Sequence, residues 1–117
     1  MVKRAYIPEA GDLVWTSFDP QVGHEQAGRR PALVLSSGDY NETVGLALAC
    51  PITSKVKGYP FEVAVNTAHV RGVVLADQVR SLDWRFRRFT LIERAPADIL
   101  DTVIEKLLTL IPTAEDR

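Results

Sequence analysis

Residues that build disulfides and metal sites are scarce in this chain of 117 residues, which has one cysteine, Cys50, and two histidines, His24 and His69. A lone cysteine excludes a disulfide within the chain, and three such ligands fall short of the four that a structural zinc site typically uses. Because Cys50 ends the apolar run of residues 46–50, we expect a buried thiol, which suits a reducing cytoplasm. The sequence predicts neither a metal site nor another cofactor.

Long apolar segments are also missing. No run approaches the roughly 20 apolar residues of a membrane helix, and residues 1–8 lack the apolar core of a secretion signal. We therefore expect a cytoplasmic protein that makes no membrane contact. With 46% hydrophobic residues, the chain is long enough to bury one core. The sequence predicts a single domain over residues 1–117, in which residues 113–117 form a frayed polar tail.

A strong charge of either sign is absent, since the formal net charge is -1. This balance is unusual for a protein that binds nucleic acid, but the charges are unevenly distributed. Residues 1–95 hold twelve bases and ten acids, whereas residues 96–117 hold two bases and five acids. Arginine suits bidentate phosphate contact, and five arginines lie within residues 80–94: Arg80, Arg85, Arg87, Arg88 and Arg94. For each of them, simple solvent exposure is an equally good interpretation.

Short β-type segments dominate the first part of the chain, at residues 12–18, 31–37, 44–52, 61–66, 72–80 and 88–94. Residues 39–43 have turn composition, which predicts an exposed linker. From Ile99 to Ile111 the apolar residues recur at helical spacing, with Pro96 suited to the first turn and Pro112 to the end. We expect a mainly β fold with a C-terminal helix, whose apolar stripe packs on the sheet or forms a dimer surface.

The run of residues 24–31, His-Glu-Gln-Ala-Gly-Arg-Arg-Pro, carries the strongest functional signal. It places the carboxylate of Glu25 five residues before the guanidinium of Arg30. Gly28 permits a tight turn between them, and Pro31 fixes φ where a strand begins. A proton acceptor and a cation that binds phosphate would then face a shared ligand.

This run resembles the EQ-x-G-x-RP signature of the MazF/PemK family, the metal-independent endoribonuclease toxins of bacterial toxin–antitoxin pairs. Three more stretches resemble that family in the same order: residues 11–20, 50–63 and 72–85. The resemblance as a whole extends over about residues 6–111. One short motif can match by chance, but four ordered segments at fitting spacings make a strong combined signal. The resemblance implies a small SH3-like barrel of the MazF/CcdB type.

The resemblance also implies catalytic residues: Glu25, Arg30 and Thr53. RNA carries its own nucleophile, the 2′-hydroxyl, so a protein needs only to remove that proton and stabilise the charge that builds on phosphorus. We expect Glu25 to be the general base, Arg30 to bind the scissile phosphate, and the Thr53 hydroxyl to position a phosphate oxygen. Without the resemblance, Glu25 and Arg30 would be interpreted as a surface ion pair worth about 0 to 1 kcal/mol. Thr53 would be interpreted as an ordinary strand residue.

Substrate contacts follow from the same resemblance. Single-stranded RNA is read by stacking on aromatic rings and by hydrogen bonds to base edges. The positions that match the family's RNA groove are Phe18, Gln26, Lys57, Gln78, Arg80 and Arg87. Phe18 has the strongest competing interpretation, because a strand phenylalanine is usually a core residue. Five residues depart from the family pattern: Arg29, Asp83, Phe86, Phe89 and Leu91. These differences bear on which bases the protein prefers, more than on whether it cleaves RNA.

The family resemblance further implies a homodimer, with RNA lying across the subunit interface, and a cognate MazE-like antitoxin whose acidic, disordered tail occupies the groove. Two other classes of protein share such a barrel. A CcdB-like toxin acts by binding DNA gyrase, but this chain lacks the Trp-Gly-Ile ending of those proteins. A non-catalytic SH3-like interaction module is the third possibility, against which the complete Glu25, Arg30 and Thr53 set argues.

Overall fold

Seven strands and two α-helices make up the computed structural model, which describes residues 5–18 and 28–117. The strands are β1 (Asp12–Ser17), β2 (Arg29–Val34), β3 (Leu46–Thr53), β4 (Glu62–Asn66), β5 (Arg71–Leu75), β6 (Arg80–Asp83) and β7 (Thr90–Arg94). The helices are α1 (Gly38–Val44) and α2 (Ala97–Leu108), and a 3-10 turn, Ala114–Asp116, lies in the exposed tail predicted to fray.

All strand pairings are antiparallel, in the order β4-β5-β3-β2-β1-β7, with β6 also paired to β3. Along one edge, β3 pairs first with β6, from Leu46 to Ala49, and then with β5, at Ile52 and Thr53. One strand serves two neighbours in this way because each neighbour pairs with a different part of β3. The predicted fold, mainly β with a C-terminal helix, is confirmed as a curled half-barrel.

Buried side chains form one cluster on each face of this sheet. The first cluster lies between the sheet and α2 and contains Leu13, Leu33, Cys50, Val74 and Val103. The second lies on the opposite face and includes Val14, Val34, Leu82, Trp84 and Phe89. Both faces of the central strands are therefore covered, which explains the almost continuous apolar run in β3.

The Cys50 thiol is fully buried, as its apolar run predicted. Burial is the main reason that its pKa rises from 9.0 to about 12, and the negative charge of Asp77 adds to the rise. The neutral thiol is accordingly the stable form at physiological pH, and it packs as a small apolar side chain.

The predicted strand at residues 72–80 is wrong, because the chain forms two strands there. β5 ends at Leu75, a turn covers Ala76 and Asp77, and β6 starts at Arg80. Gln78 N–H donates to the Leu75 carbonyl at 3.1 Å and closes this turn. The apolar residues on either side of this turn, Leu75 and Val79, concealed a change of direction that moves the chain from β5 to β6, which pairs with an earlier part of the same edge of β3.

The predicted linker at residues 39–43 is also wrong, because these residues lie in α1. Ser37 caps the helix by accepting a hydrogen bond from Tyr40 N–H, and Gly45 ends it in the left-handed conformation, with φ 83°. Asn41 is fully buried at its centre. Local turn propensity was therefore overridden by caps and by a buried amide.

Helix α2 confirms the predicted C-terminal helix. Pro96 occupies the N-cap position, Asp98 lies in the first turn, and Val103 is fully buried against the sheet. Lys106 Nζ donates to the Pro60 carbonyl at 2.8 Å, which ties the last turn to the segment between β3 and β4. Three apolar side chains past the packed face are exposed: Leu108, Leu110 and Ile111.

Candidate functional site

The predicted catalytic residues that the structure describes, Arg30 and Thr53, lie at the same end of the β2–β3 pair. Ala32 is opposite Pro51 in this antiparallel pair, so Arg30 lies two residues before the paired segment and Thr53 two residues after it. The predicted general base, Glu25, lies outside the described residues, as does Gln26. Glu25 lies five residues before Arg30 in the sequence, in the connection between β1 and β2.

The Arg30 side chain is exposed at the start of β2, where its residue pairs with Thr16 of β1. Thr53 ends β3, and its hydroxyl oxygen accepts a hydrogen bond from Lys55 N–H at 3.1 Å. The hydroxyl proton of Thr53 remains available to an incoming acceptor, because a hydroxyl can donate and accept together.

A cleft of about 470 Å³ opens beside Thr53. It brings together Thr53 and two of the predicted RNA contacts, Lys57 and Gln78. The remaining walls of the cleft come from Lys55, Tyr59, Glu62, Leu75 and Asp77. A hydroxyl, an amide and two ammonium groups thus share one depression, which is a suitable set of donors for a phosphate and a base edge.

Glu62 shapes the lysine-bearing wall of this cleft. Its carboxylate accepts hydrogen bonds from Lys57 N–H and Gly58 N–H, both at 3.0 Å. Gly58 has a left-handed φ of 79°, which allows the chain to turn over the carboxylate. The contacts of Glu62 use backbone donors, so the side chains of Lys55 and Lys57 are exposed to solvent.

Tyr59, in the same segment as Lys57, donates a hydrogen bond to Asp77 Oδ2 at 2.6 Å. This hydrogen bond is the first cause of the raised pKa of Tyr59. The contact joins the segment between β3 and β4 to the turn between β5 and β6, which carries Gln78. Neither Tyr59 nor Asp77 was predicted from the sequence as a site residue, because no local motif shows that these two loops meet.

A second group of predicted residues, Phe18, Arg80 and Arg87, meets at the end of β1. Phe18 is half-buried and packs against the second core cluster. The Arg80 guanidinium carbon lies 5.6 Å from the centre of the Phe18 ring, within cation–π range. Both arginines also donate to the Phe18 carbonyl, Arg80 at 3.3 Å and Arg87 at 2.8 Å.

The structure therefore places Thr53, Lys57 and Gln78 in one cleft and Phe18, Arg80 and Arg87 in a neighbouring cluster. Sequence reasoning missed Lys55 and Arg29. Lys55 differs from Lys57 by two positions and lines the same cleft. Arg29 was noted only as a departure from the family pattern, yet its guanidinium makes three hydrogen bonds across strand ends.

The two tryptophans differ in their exposure to solvent. Trp84 is 5% exposed and donates its indole N–H to the Asn41 carbonyl at 2.8 Å. Trp15 is 41% exposed on β1.

Within residues 5–18 and 28–117, no group of three His, Cys, Asp or Glu side chains could hold a metal ion. In the same part of the chain, no helix has the length and apolar character to cross a membrane.

Comparison with known proteins gives consistent matches over almost the entire chain. A family model described as PemK-like, MazF-like toxin of type II toxin-antitoxin system matches residues 9–111. The chain is 47% identical over 111 residues to the endoribonuclease toxin MazF of Escherichia coli K12, which covers 95% of this chain and 99% of that protein.

Solved structures agree with the sequence comparison. A MazE–MazF crystal structure from Deinococcus radiodurans matches with a TM-score of 0.82 and 51% identity, covering 94% of this chain and 100% of the other. A structure of MazF from the same organism matches with a TM-score of 0.82 and 58% identity, covering 92% and 98%.

Proposed function

Because the chain belongs to the PemK-like, MazF-like family of toxins of type II toxin–antitoxin systems, we propose that it is an endoribonuclease that cleaves single-stranded RNA at specific sequences. The observation that carries the proposal is the shared position of Arg30 and Thr53 at one end of the β2–β3 pair, beside a cleft that also holds Lys57 and Gln78. A phosphate seated at these strand ends would meet a guanidinium, a hydroxyl and an ammonium group.

The chemistry begins with the 2′-hydroxyl of the RNA. Glu25 takes the hydroxyl proton, the 2′-oxygen attacks the neighbouring phosphorus, and the bond from phosphorus to the 5′-oxygen breaks. Arg30 stabilises the negative charge that develops on the phosphoryl oxygens, and the Thr53 hydroxyl orients one of them. The departing 5′-oxygen takes up a proton. The products are a 2′,3′-cyclic phosphate and a 5′-hydroxyl, and the reaction uses no metal ion.

RNA contacts extend from the cleft to the end of β1. Lys57 contacts a phosphate, because its side chain is exposed where the chain turns over Glu62. Gln78 reads a base edge from the opposite wall. The exposed portion of the Phe18 ring stacks on a base, with Arg80 beside it. Gln26 and Arg87 complete the predicted set, Arg87 through its contact with Phe18.

The protein acts as one cytoplasmic domain, assembled as a homodimer. A MazE-like antitoxin neutralises it, by placing an acidic segment where the RNA phosphates would lie. The MazE–MazF structures from Deinococcus radiodurans support this partner. The exposed cations of the cleft, Lys55 and Lys57, give an acidic segment the same attraction that they give RNA.

The proposed function is tested by incubating the purified, antitoxin-free protein with a long unstructured RNA in excess EDTA and mapping the product ends. We expect cleavage at a short recurring sequence, with 2′,3′-cyclic phosphate and 5′-hydroxyl ends. Arg30→Ala should slow cleavage by about 100-fold or more, as does removal of a group that stabilises transition-state charge.

Thr53→Val should also slow cleavage, whereas Thr53→Ser keeps the hydroxyl and should retain most of the activity. Glu42→Ala, an exposed change on α1, is the matched control. Absence of cleavage by the folded wild-type dimer across diverse RNAs, or cleavage only after a divalent metal is restored, would contradict the proposal.

A further inference from the structure

The side chain of Arg87 is directed at the backbone of β1. Its Nη1 donates to the carbonyl oxygens of Ser17 and Phe18, both at 2.8 Å, and the side chain is half-buried. The return contact from Ser17 N–H to the Arg87 carbonyl is longer, at 3.5 Å. Hydrogen bonds from a charged donor are stronger than neutral ones. Arg87 therefore fixes the backbone at the end of β1 and at Phe18, the residue that follows it.

Arg29 makes the equivalent contact at the start of β2. Its Nη2 donates to the Arg88 carbonyl at 3.0 Å and to the Thr90 hydroxyl at 2.9 Å, with a longer contact of 3.4 Å to the Trp15 carbonyl. Arg29 is paired with Ser17 in the β1–β2 register. The next residue is Arg30, so the hydrogen bonds of Arg29 hold the backbone directly before the proposed phosphate-binding side chain.

Both sets of contacts involve one turn, residues 84–90, which comprises the connection from β6 and the first residue of β7. Trp84 and Phe89 attach this turn to the second core cluster, and Phe89 N–H donates to the Trp84 carbonyl at 3.0 Å. Between them, Arg88 has a φ of 56°, in the left-handed region that non-glycine residues seldom occupy. The packing of Trp84 and Phe89 holds this conformation, which presents the Arg88 carbonyl to Arg29.

We propose that Arg87 and Arg29 are positioning residues of the proposed ribonuclease, through which the turn at 84–90 holds Phe18 and Arg30 in place for reaction. Arg87 then serves the reaction through the Phe18 backbone rather than as a ligand of an RNA phosphate. The inference rests on the proposed function, because it assigns roles within the same site.

Lys57 provides the contrast. Its ammonium group makes no hydrogen bond or ion pair with the described part of the chain, and it lines the cleft. A lysine that neutralises a phosphate contributes about 0.7 to the slope of log affinity against log salt concentration for a single strand. A positioning arginine contributes nothing to that slope, but its loss lowers kcat because the reacting groups are misplaced.

The test compares Arg87→Met, Arg29→Met and Lys57→Met with the wild-type protein. RNA containing the mapped cleavage sequence gives kcat, and its 2′-O-methyl form, which lacks the nucleophile, gives Kd at several salt concentrations. We expect both arginine variants to lose about 10- to 100-fold in kcat with an unchanged salt slope. Lys57→Met should lose affinity and about 0.7 of the slope.

Two results would overturn the inference: a salt slope reduced by about 0.7 in Arg87→Met, which identifies a phosphate ligand, or a kcat equal to that of the wild type. If Arg87→Met does not fold, Arg87→Lys replaces it. Lysine keeps the charge but not the planar fork, so kcat should still fall at constant slope. Absence of cleavage by the wild type marks failure of the proposed function itself, whereas cleavage by the wild type with an unaffected Arg87→Met marks failure of the positioning role alone.

Discussion

The side chain of Asn41 joins separate parts of the chain at one buried point. Its amide nitrogen donates to the Pro8 carbonyl at 2.8 Å and to the Ser36 carbonyl at 3.1 Å, and its amide oxygen accepts from the Ser36 hydroxyl at 2.6 Å. Its backbone carbonyl accepts the indole N–H of Trp84. One residue thus connects α1 to the N-terminal segment and to the turn at 84–90.

We predict that Asn41→Ala lowers the free energy of unfolding by about 2 to 3 kcal/mol, because it leaves buried carbonyl and hydroxyl groups without partners. Urea denaturation followed by circular dichroism measures the loss. Glu42→Ala, one position along the same helix and exposed, should change the stability by less than about 0.5 kcal/mol. Equal effects for the two variants would show that Asn41 does not have this role.

For individual residues, the sequence predicted which side chains belong to the site better than it predicted their hydrogen-bond partners. Thr53, Lys57 and Gln78 were predicted together and share a cleft. Arg87 was expected to contact RNA or solvent, and Arg29 was noted only as a departure from the family pattern. Both side chains instead donate to backbone carbonyl oxygens. A guanidinium can bind a phosphate or a carbonyl equally well, and only the folded chain determines which of them lies within reach.

At the scale of the elements, Gly72 of β5 leaves no room for a side chain beside the backbone of β3. A Cβ atom there would overlap the Thr53 carbonyl oxygen and lie 2.9 Å from the Thr53 carbonyl carbon. Both atoms belong to the backbone of β3, so a flexible side chain cannot move aside to make room. The absence of a side chain at Gly72 is therefore a condition for the position of Thr53.

Gly72→Ala should lower the free energy of unfolding by about 3 kcal/mol, through overlap with Thr53 and backbone strain. It should also reduce RNA cleavage in the fraction that folds, since the Thr53 backbone must shift. Gly58→Ala is the matched control: open space surrounds its Cβ position, so only the left-handed φ opposes it, at about 1 kcal/mol. Unfolding curves and single-turnover cleavage rates measure the two effects, and similar values for both glycines would contradict the steric explanation.

Most elements were predictable because their hydrophobic period is clear. Strand β4 and helix α2 follow from residue spacing alone, and both are confirmed. Helix α1 was missed because Asp39, Asn41 and Thr43 favour turns, while its stability comes from caps and from contacts distant in sequence. The end of β5 was missed because Val79 continues the apolar pattern past Leu75, although Ala76 and Asp77 form a turn.

At the scale of the whole molecule, the buried thiol of Cys50 makes chemical reactivity a measure of unfolding. Burial raises its pKa from 9.0 to about 12, so that at pH 9 the folded protein carries far less of the reactive thiolate than the unfolded protein does. Because the pKa of Cys50 is higher in the folded state, the contribution of this thiol to the free energy of unfolding is greatest below pH 9. This contribution is lost as the pH rises from 9 towards 12, because the unfolded state releases its proton first.

We predict that a thiol-specific disulfide reagent at pH 8 labels Cys50 at least 100-fold more slowly in the native protein than in concentrated urea. Across a urea series, labelling should follow the unfolding transition seen by circular dichroism. Ser81→Cys, at an exposed position of β6, should gain one rapidly labelled thiol without changing that transition. Rapid stoichiometric labelling of the native wild type would show that Cys50 is accessible without unfolding.

Several residues that line the cleft lie in loops outside both core clusters. Lys55, Lys57 and Tyr59 lie between β3 and β4, and Gln78 lies between β5 and β6; all four are exposed. Substitutions at these positions alter what the cleft contacts while the packed sheet and the strand ends that carry Arg30 and Thr53 keep their structure. Such an arrangement is favourable for divergence, because descendants of one ancestral gene can acquire new target preferences by changing a few surface codons while conserving the reaction itself.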